Sequence, residues 1–89
     1  SDVLCRSGGE EFMMLLPDTD LDDAAQVAER LRRLMEETDS PTGRPVTLSL
    51  GVAHYPQTSP LPDKVLKGAD EAMYRAKEEG RNRVVRAPG

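Results

Sequence analysis

Near the start of the chain, in Arg6-Ser7-Gly8-Gly9-Glu10-Glu11-Phe12, two carboxylates follow two glycines. Adjacent glycines tolerate the positive φ angles of a two-residue hairpin loop. Glu10 and Glu11 therefore stand at the mouth of a tight turn. Hard carboxylate oxygens beside bare backbone suit a divalent metal ion and a phosphate that must come close. The same string also serves as an ordinary solvated turn, so the spacing alone leaves both open. A second set is cationic: Lys77 and Arg81 lie four residues apart at the end of a helical pattern. They can interact with the negative helix C-terminus or clasp a polyphosphate. His54 has no nearby Cys or His and reads as a surface residue, and the single Cys5 reads as a small apolar strand residue rather than half of a disulfide.

These groups need elements to place them. Val3, Leu4 and Cys5 give the first arm of a hairpin, and Phe12 to Leu16 the second, stopped by Pro17, which cannot donate to a sheet ladder. The second arm is apolar on both faces, Phe12, Met14 and Leu16 on one and Met13 and Leu15 on the other, which implies cover on both sides. Leu21, Ala24, Ala25, Ala28, Leu31, Leu34, Met35 and Thr38 recur at helical spacing, predicting a helix over 21–38 capped by Thr19 or Asp20. On its outer face, Glu29 with Arg33 and Arg33 with Glu37 are spaced as surface ion pairs. Val46 to Ala53 reads as a strand whose odd positions, Thr47, Ser49, Gly51 and Ala53, are small enough to admit a helix closely. A second helix runs from Pro62 or Asp63 to Glu79, turning Val65, Leu66, Ala69, Ala72, Met73 and Ala76 inward, with Gly80 as its stop. Val84-Val85 forms a last short strand, and Ala87-Pro88-Gly89 reads as a tail. The expected fold class is α+β: hairpin, helix, strand, helix, short strand, without a regular βαβ repeat.

Composition narrows the function. The 89 residues allow one small domain, and 37% hydrophobic with 31% charged content is that of a globular chain rather than a disordered tail. A net charge of −4 and only three aromatic side chains argue against a nucleic-acid-binding surface. No run approaches transmembrane length and no signal peptide is visible. The missing initiator methionine and the early turn motif imply a piece of a longer chain.

Three stretches together resemble the GGDEF family of diguanylate cyclases. Gly8-Gly9-Glu10-Glu11-Phe12 is similar to the family's signature hairpin in its GGEEF form. Val46-Thr47-Leu48-Ser49-Leu50-Gly51-Val52-Ala53 is similar to its V-T-x-S-x-G-V-A strand, and Ala69 to Asn82 to its AD-x-A-[LM]-Y-x-AK-x-x-GRN helix end. The resemblance implies a ferredoxin-like, nucleotide-cyclase palm and the condensation of two GTP molecules into cyclic di-GMP with loss of two pyrophosphates, across a two-fold homodimer. It implies Mg2+ (or Mn2+) as cofactor, Glu10 as metal ligand and proton acceptor, and Glu11 as a second catalytic carboxylate. Gly8 and Gly9 would leave room for the nucleotide, and Lys77 and Arg81 would contact its phosphates. Asp2 falls at the aspartate of the family's R-x-x-D inhibitory product site, whose arginine would precede Ser1.

The family's domain is roughly twice this length, so the resemblance makes residues 1–89 the carboxy-terminal portion of a single GGDEF domain with its amino-terminal half absent. A metal-binding aspartate and the guanine site belong to that half, and the isolated 89-residue chain is expected to make no cyclic di-GMP from GTP and Mg2+ in a product assay. The family's arrangement also puts a missing strand between the hairpin's second arm and the strand from Val46 to Ala53, leaving a gap that a dimer or higher oligomer, for instance by exchanging strands, or a separate segment supplying the missing strand is expected to fill. The parent is expected in the cytoplasm, with an upstream sensor domain and membrane attachment, if any, through a segment not present here. A catalytically silent GGDEF domain that binds GTP or cyclic di-GMP, and a small α/β interaction domain, are the alternatives.

Overall fold

The computed structural model describes residues 1–8, 11–38, 40–44 and 46–88. Strands β1 (Asp2–Gly8) and β2 (Phe12–Pro17) form the hairpin, followed by helix α1 (Leu21–Glu37), strand β3 (Ser49–Tyr55), helix α2 (Pro62–Glu78) and strand β4 (Arg83–Arg86). The α+β class and the order of elements are as the sequence implies. The four strands make one mixed sheet in the order β2-β1-β3-β4, with only the β3–β4 pair parallel.

Strand alternation sorts the sheet's two faces. Val3, Cys5, Leu50 and Val52 point to one side and are fully buried with Ala24 and Ala28 of α1. Ala53 points to the other side, into a second cluster with Val65, Ala69 and Ala72 of α2. Gly51 shows how close α2 lies: a Cβ built there would overlap the Ala69 carbonyl oxygen and the Met73 amide nitrogen and stand 2.9 Å from the Ala72 carbonyl carbon. The small-residue face read from the sequence is thus the seat of a helix. Burial pushes the Cys5 thiol up to about 11, as befits an inert apolar strand residue.

Helix ends follow local chemistry. Asp20, rather than Thr19, caps α1, its Oδ1 accepting from the Asp23 N–H at 2.7 Å. Pro62 occupies the first turn of α2, where its lost N–H is harmless. At the far end of α2, Arg81 N–H reaches the Ala76 carbonyl at 2.9 Å and Gly80 N–H the Lys77 carbonyl at 3.4 Å, the paired bonds of a Schellman stop with Gly80 at φ 125°.

Several expectations need correction. No gap separates the hairpin from β3: the first arm pairs directly with it, from Asp2 opposite Tyr55 to Gly8 opposite Ser49. The buried backbone of β1 is thereby paired on both edges, by β2 and by β3. The second arm is covered on one face only; Phe12, Met14 and Leu16 pack on the α1-side core, whereas Met13 and Leu15 are 55% and 61% exposed because α2 packs over β1, β3 and β4. Strand β3 starts at Ser49 rather than Val46 and runs on to Tyr55. That extension carries His54 into the interior opposite Val3, where Nδ1 accepts from the Gln57 N–H at 3.3 Å. His54 is therefore buried, not on the surface. Leu34 lies about 100° round α1 from Met35 and is exposed. Ala87 is no tail residue: it is buried, and its N–H donates to the Val52 carbonyl at 2.8 Å. On α1, Arg32 rather than Arg33 makes the ion pairs, with Glu29 and Glu36.

Candidate active site

The end of β1 and the end of α2 meet. Gly8 is buried beneath the Lys77 side chain: a Cβ built on Gly8 would overlap Lys77 Cε, stand 2.7 Å from Nζ and lie 3.1 Å from Met73 Sδ. The missing side chain at Gly8 is thus the space that the lysine occupies. An ammonium group is thereby brought over the backbone that leads into the acidic turn. Gly9 and Glu10 lie outside the described residues. Glu11 is described at the turn, with its side chain 62% exposed.

Arg6 and Asp70 are part of this assembly. Arg6 Nη2 stands 3.9 Å from Glu11 Oε2, and Arg6 Nε 3.0 Å from Asp70 Oδ1. The second distance is that of an ion pair, yet among the described residues neither atom has a properly aligned hydrogen bond, and both are buried. The guanidinium therefore bridges two carboxylates by charge rather than by a directed bond. It links the hairpin to α2, and Asp70 lies two turns before Lys77 on the same helix, so one face carries both. That i, i+7 spacing is the sequence signal for Asp70, to which the motifs assign no role.

Arg81 follows the helix stop in the left-handed region, at φ 65°. It is exposed, and among the described residues its side chain makes no ion pair. The helix stop places it just beyond the turn that carries Lys77. Asp2, by contrast, sits at the other end of β1, about 20 Å from Gly8 at the rise of a strand. Its Oδ1 accepts from the Asp18 N–H at 3.1 Å. It also borders a mostly apolar cavity of about 380 Å³ with Leu4, Leu15, Tyr55, Pro62 and Val65. The structure thus brings Gly8, Glu11 and Lys77 to one end, with Arg81 beside the helix stop, and leaves Asp2 at the opposite end.

The donor chemistry fits a hard cation only in part. Among the described residues no three His, Cys, Asp or Glu side chains converge. Glu11 offers oxygen of the right kind, and Mg2+ is commonly held by one or two carboxylates with the remainder supplied by substrate phosphates and water.

The family model for the diguanylate cyclase, GGDEF domain matches residues 1–83. The chain belongs to the GGDEF domain family. It is 46% identical over 87 residues to the diguanylate cyclase DgcM of Escherichia coli, a match covering 97% of this chain and 21% of that one. Among solved structures, the GGDEF domain of YfiN (TpbB) from Pseudomonas aeruginosa overlays with a TM-score of 0.78 at 33% identity, covering 99% of this chain and 57% of that one. The active GGEEF domain of a diguanylate cyclase from Vibrio cholerae overlays with a TM-score of 0.72 at 28% identity, covering 96% and 56%. The chain thus spans about a fifth of this curated GGDEF relative and a little over half of these solved domains.

Proposed function

We propose that residues 1–89 are the carboxy-terminal portion of a diguanylate cyclase domain, in a parent protein that condenses two GTP molecules into cyclic di-GMP. In each half-reaction the 3′-oxygen of one GTP bonds to the α-phosphorus of the other, the bond to the β-phosphate oxygen breaks, and pyrophosphate leaves. Glu10 takes the hydroxyl proton and, with Glu11 beside it, supplies negative charge for Mg2+. That ion, when bound, neutralises phosphate charge at the reacting centre. Gly8 and Gly9 keep the backbone bare, and Lys77 and Arg81 receive the phosphates.

The observation that carries this reading is the Lys77 ammonium laid over Gly8, at the entrance to the acidic turn. Intact Glu10, Glu11, Lys77 and Arg81 favour an active domain over a silent one, as does the likeness to a GGEEF domain described as active. Two GTP sites facing each other imply a homodimer, and cyclic di-GMP at the Asp2 end is the reading for product inhibition. No helix among the described residues is long and apolar enough to cross a membrane. A GTP-consuming domain belongs in the cytoplasm, under the control of a sensor domain elsewhere in the parent.

In the complete domain, Lys77→Ala combined with Arg81→Ala should raise the KM for GTP by roughly 10- to 100-fold, because two charge-assisted phosphate contacts disappear. Steady-state kinetics, with a GTP titration of the same protein, measures it. Normal GTP binding by the double variant would leave the two cations as helix-end residues only.

A further inference from the structure

A bridge of side chains ties α1 to the turn after α2. Arg32, whose side chain is only 15% exposed, holds Glu29 through Nε and Glu36 through Nη1 at 3.2 Å. The same Nη1 donates to Asn82 Oδ1 at 3.0 Å, across 50 residues of sequence. Asn82 Nδ2 in turn donates to Glu36. The Asn82 carboxamide is therefore gripped at both its oxygen and its nitrogen. Its bond is the foremost cause holding the Glu36 carboxyl below the usual carboxylate range.

The bridge closes on an unusual backbone. Gly80, Arg81 and Asn82 have φ angles of 125°, 65° and 48° in succession. Gly and Asn adopt such angles readily, but Arg does so at a cost and needs its surroundings to hold it there. On one side of Arg81 stands its own N–H bond to the Ala76 carbonyl. On the other side stands Asn82, held by α1.

We propose that Arg32, Glu36 and Asn82 are positioning residues: their bridge fixes left-handed Arg81 so that its guanidinium joins Lys77 on the nucleotide's phosphates. This rests on the phosphate-clasp reading above. None of the three touches substrate. They act by removing the freedom that Arg81 would otherwise lose on binding.

Asn82→Gly tests it, because glycine keeps the left-handed conformation while deleting both side-chain bonds. Arg32→Met breaks the bridge from the other helix. Inorganic tripolyphosphate is titrated at low ionic strength into the full chain and its variants, following amide shifts by NMR, with thermal melts on the same samples. Arg81→Ala, Asn82→Gly and Arg32→Met should each weaken binding by about 3- to 10-fold. Asn82→Gly added to Arg81→Ala should weaken it no further, since the bridge acts through that arginine. A purely structural bridge lowers the melting temperature but leaves tripolyphosphate affinity unchanged, or adds its loss to that of Arg81→Ala, and either result overturns the inference alone. Unchanged affinity in Arg81→Ala overturns the clasp itself and the inference with it.

Discussion

Glu10→Gln in the complete domain should lower cyclic di-GMP formation by roughly 1,000-fold, about 4 kcal/mol of barrier, while the melting temperature stays at that of the parent. Glutamine matches glutamate in size and keeps one acceptor oxygen, so packing around the turn is preserved. On the proposed mechanism, what disappears is the negative charge offered to a divalent cation and the basicity offered to the 3′-hydroxyl proton. Both losses act on the reacting centre rather than on ground-state binding of the purine, so kcat should fall far more than KM rises. The location supports a large effect. In sequence Glu10 falls between Gly8, which lies under the Lys77 ammonium, and Glu11, which stands across from Arg6. Product formation is quantified chromatographically at saturating GTP and Mg2+, with circular dichroism melts as the control for folding. A variant retaining more than a tenth of the activity would remove Glu10 from the chemistry.

Part of what positions this site is legible in the amino-acid sequence. The helix stop at Gly80 is a local signal, set by what a few consecutive backbone angles require, whereas Gly9 and Glu10 lie outside the described residues. The small face of β3 is legible for the same reason, since alternation places Ser49, Gly51 and Ala53 on one side whatever lies opposite. Other features depend on which distant elements meet, and periodicity does not encode that. Lys77 over Gly8 joins the two ends of the chain, and Arg32 reaches Asn82 because α1 and α2, on opposite faces, both pack against the edge strand β4. The pairing of β1 with β3 differs from the expected gap because that strand order rests on the family resemblance, while the observed register closes the sheet without the missing strand. His54 escapes the sequence pattern because β3 continues two residues past its apolar run. Met13 and Leu15 look like core in the sequence because composition reports what a side chain prefers, not whether a helix extends far enough to cover it.

The largest effect on stability should come from one methyl group. Gly51→Ala is expected to cost at least ~3 kcal/mol, at the upper end of the usual overpacking range, which is a large share of the ~5–15 kcal/mol that holds a small domain folded. The atoms that the new Cβ would meet are the Ala69 carbonyl oxygen, the Ala72 carbonyl carbon and the Met73 amide nitrogen, all of them backbone. No rotamer change relieves such a clash; α2 must lift as a body from β3, loosening Ala69 and Ala72 in the core. Gly68→Ala is the matched comparison. There the nearest atom is the Thr58 methyl at 2.9 Å, the end of a side chain that can turn aside. That site is in the middle of α2, where alanine is favoured over glycine by roughly 1 kcal/mol, so the displacement and the propensity nearly offset each other. Urea unfolding of both variants, read as midpoint shifts at constant slope, compares them directly. Equal stabilities would mean that α2 does not rest on Gly51 and that Lys77, carried by the same helix, is not fixed over Gly8. A large loss at Gly51 with little change at Gly68 is the outcome that the packing requires.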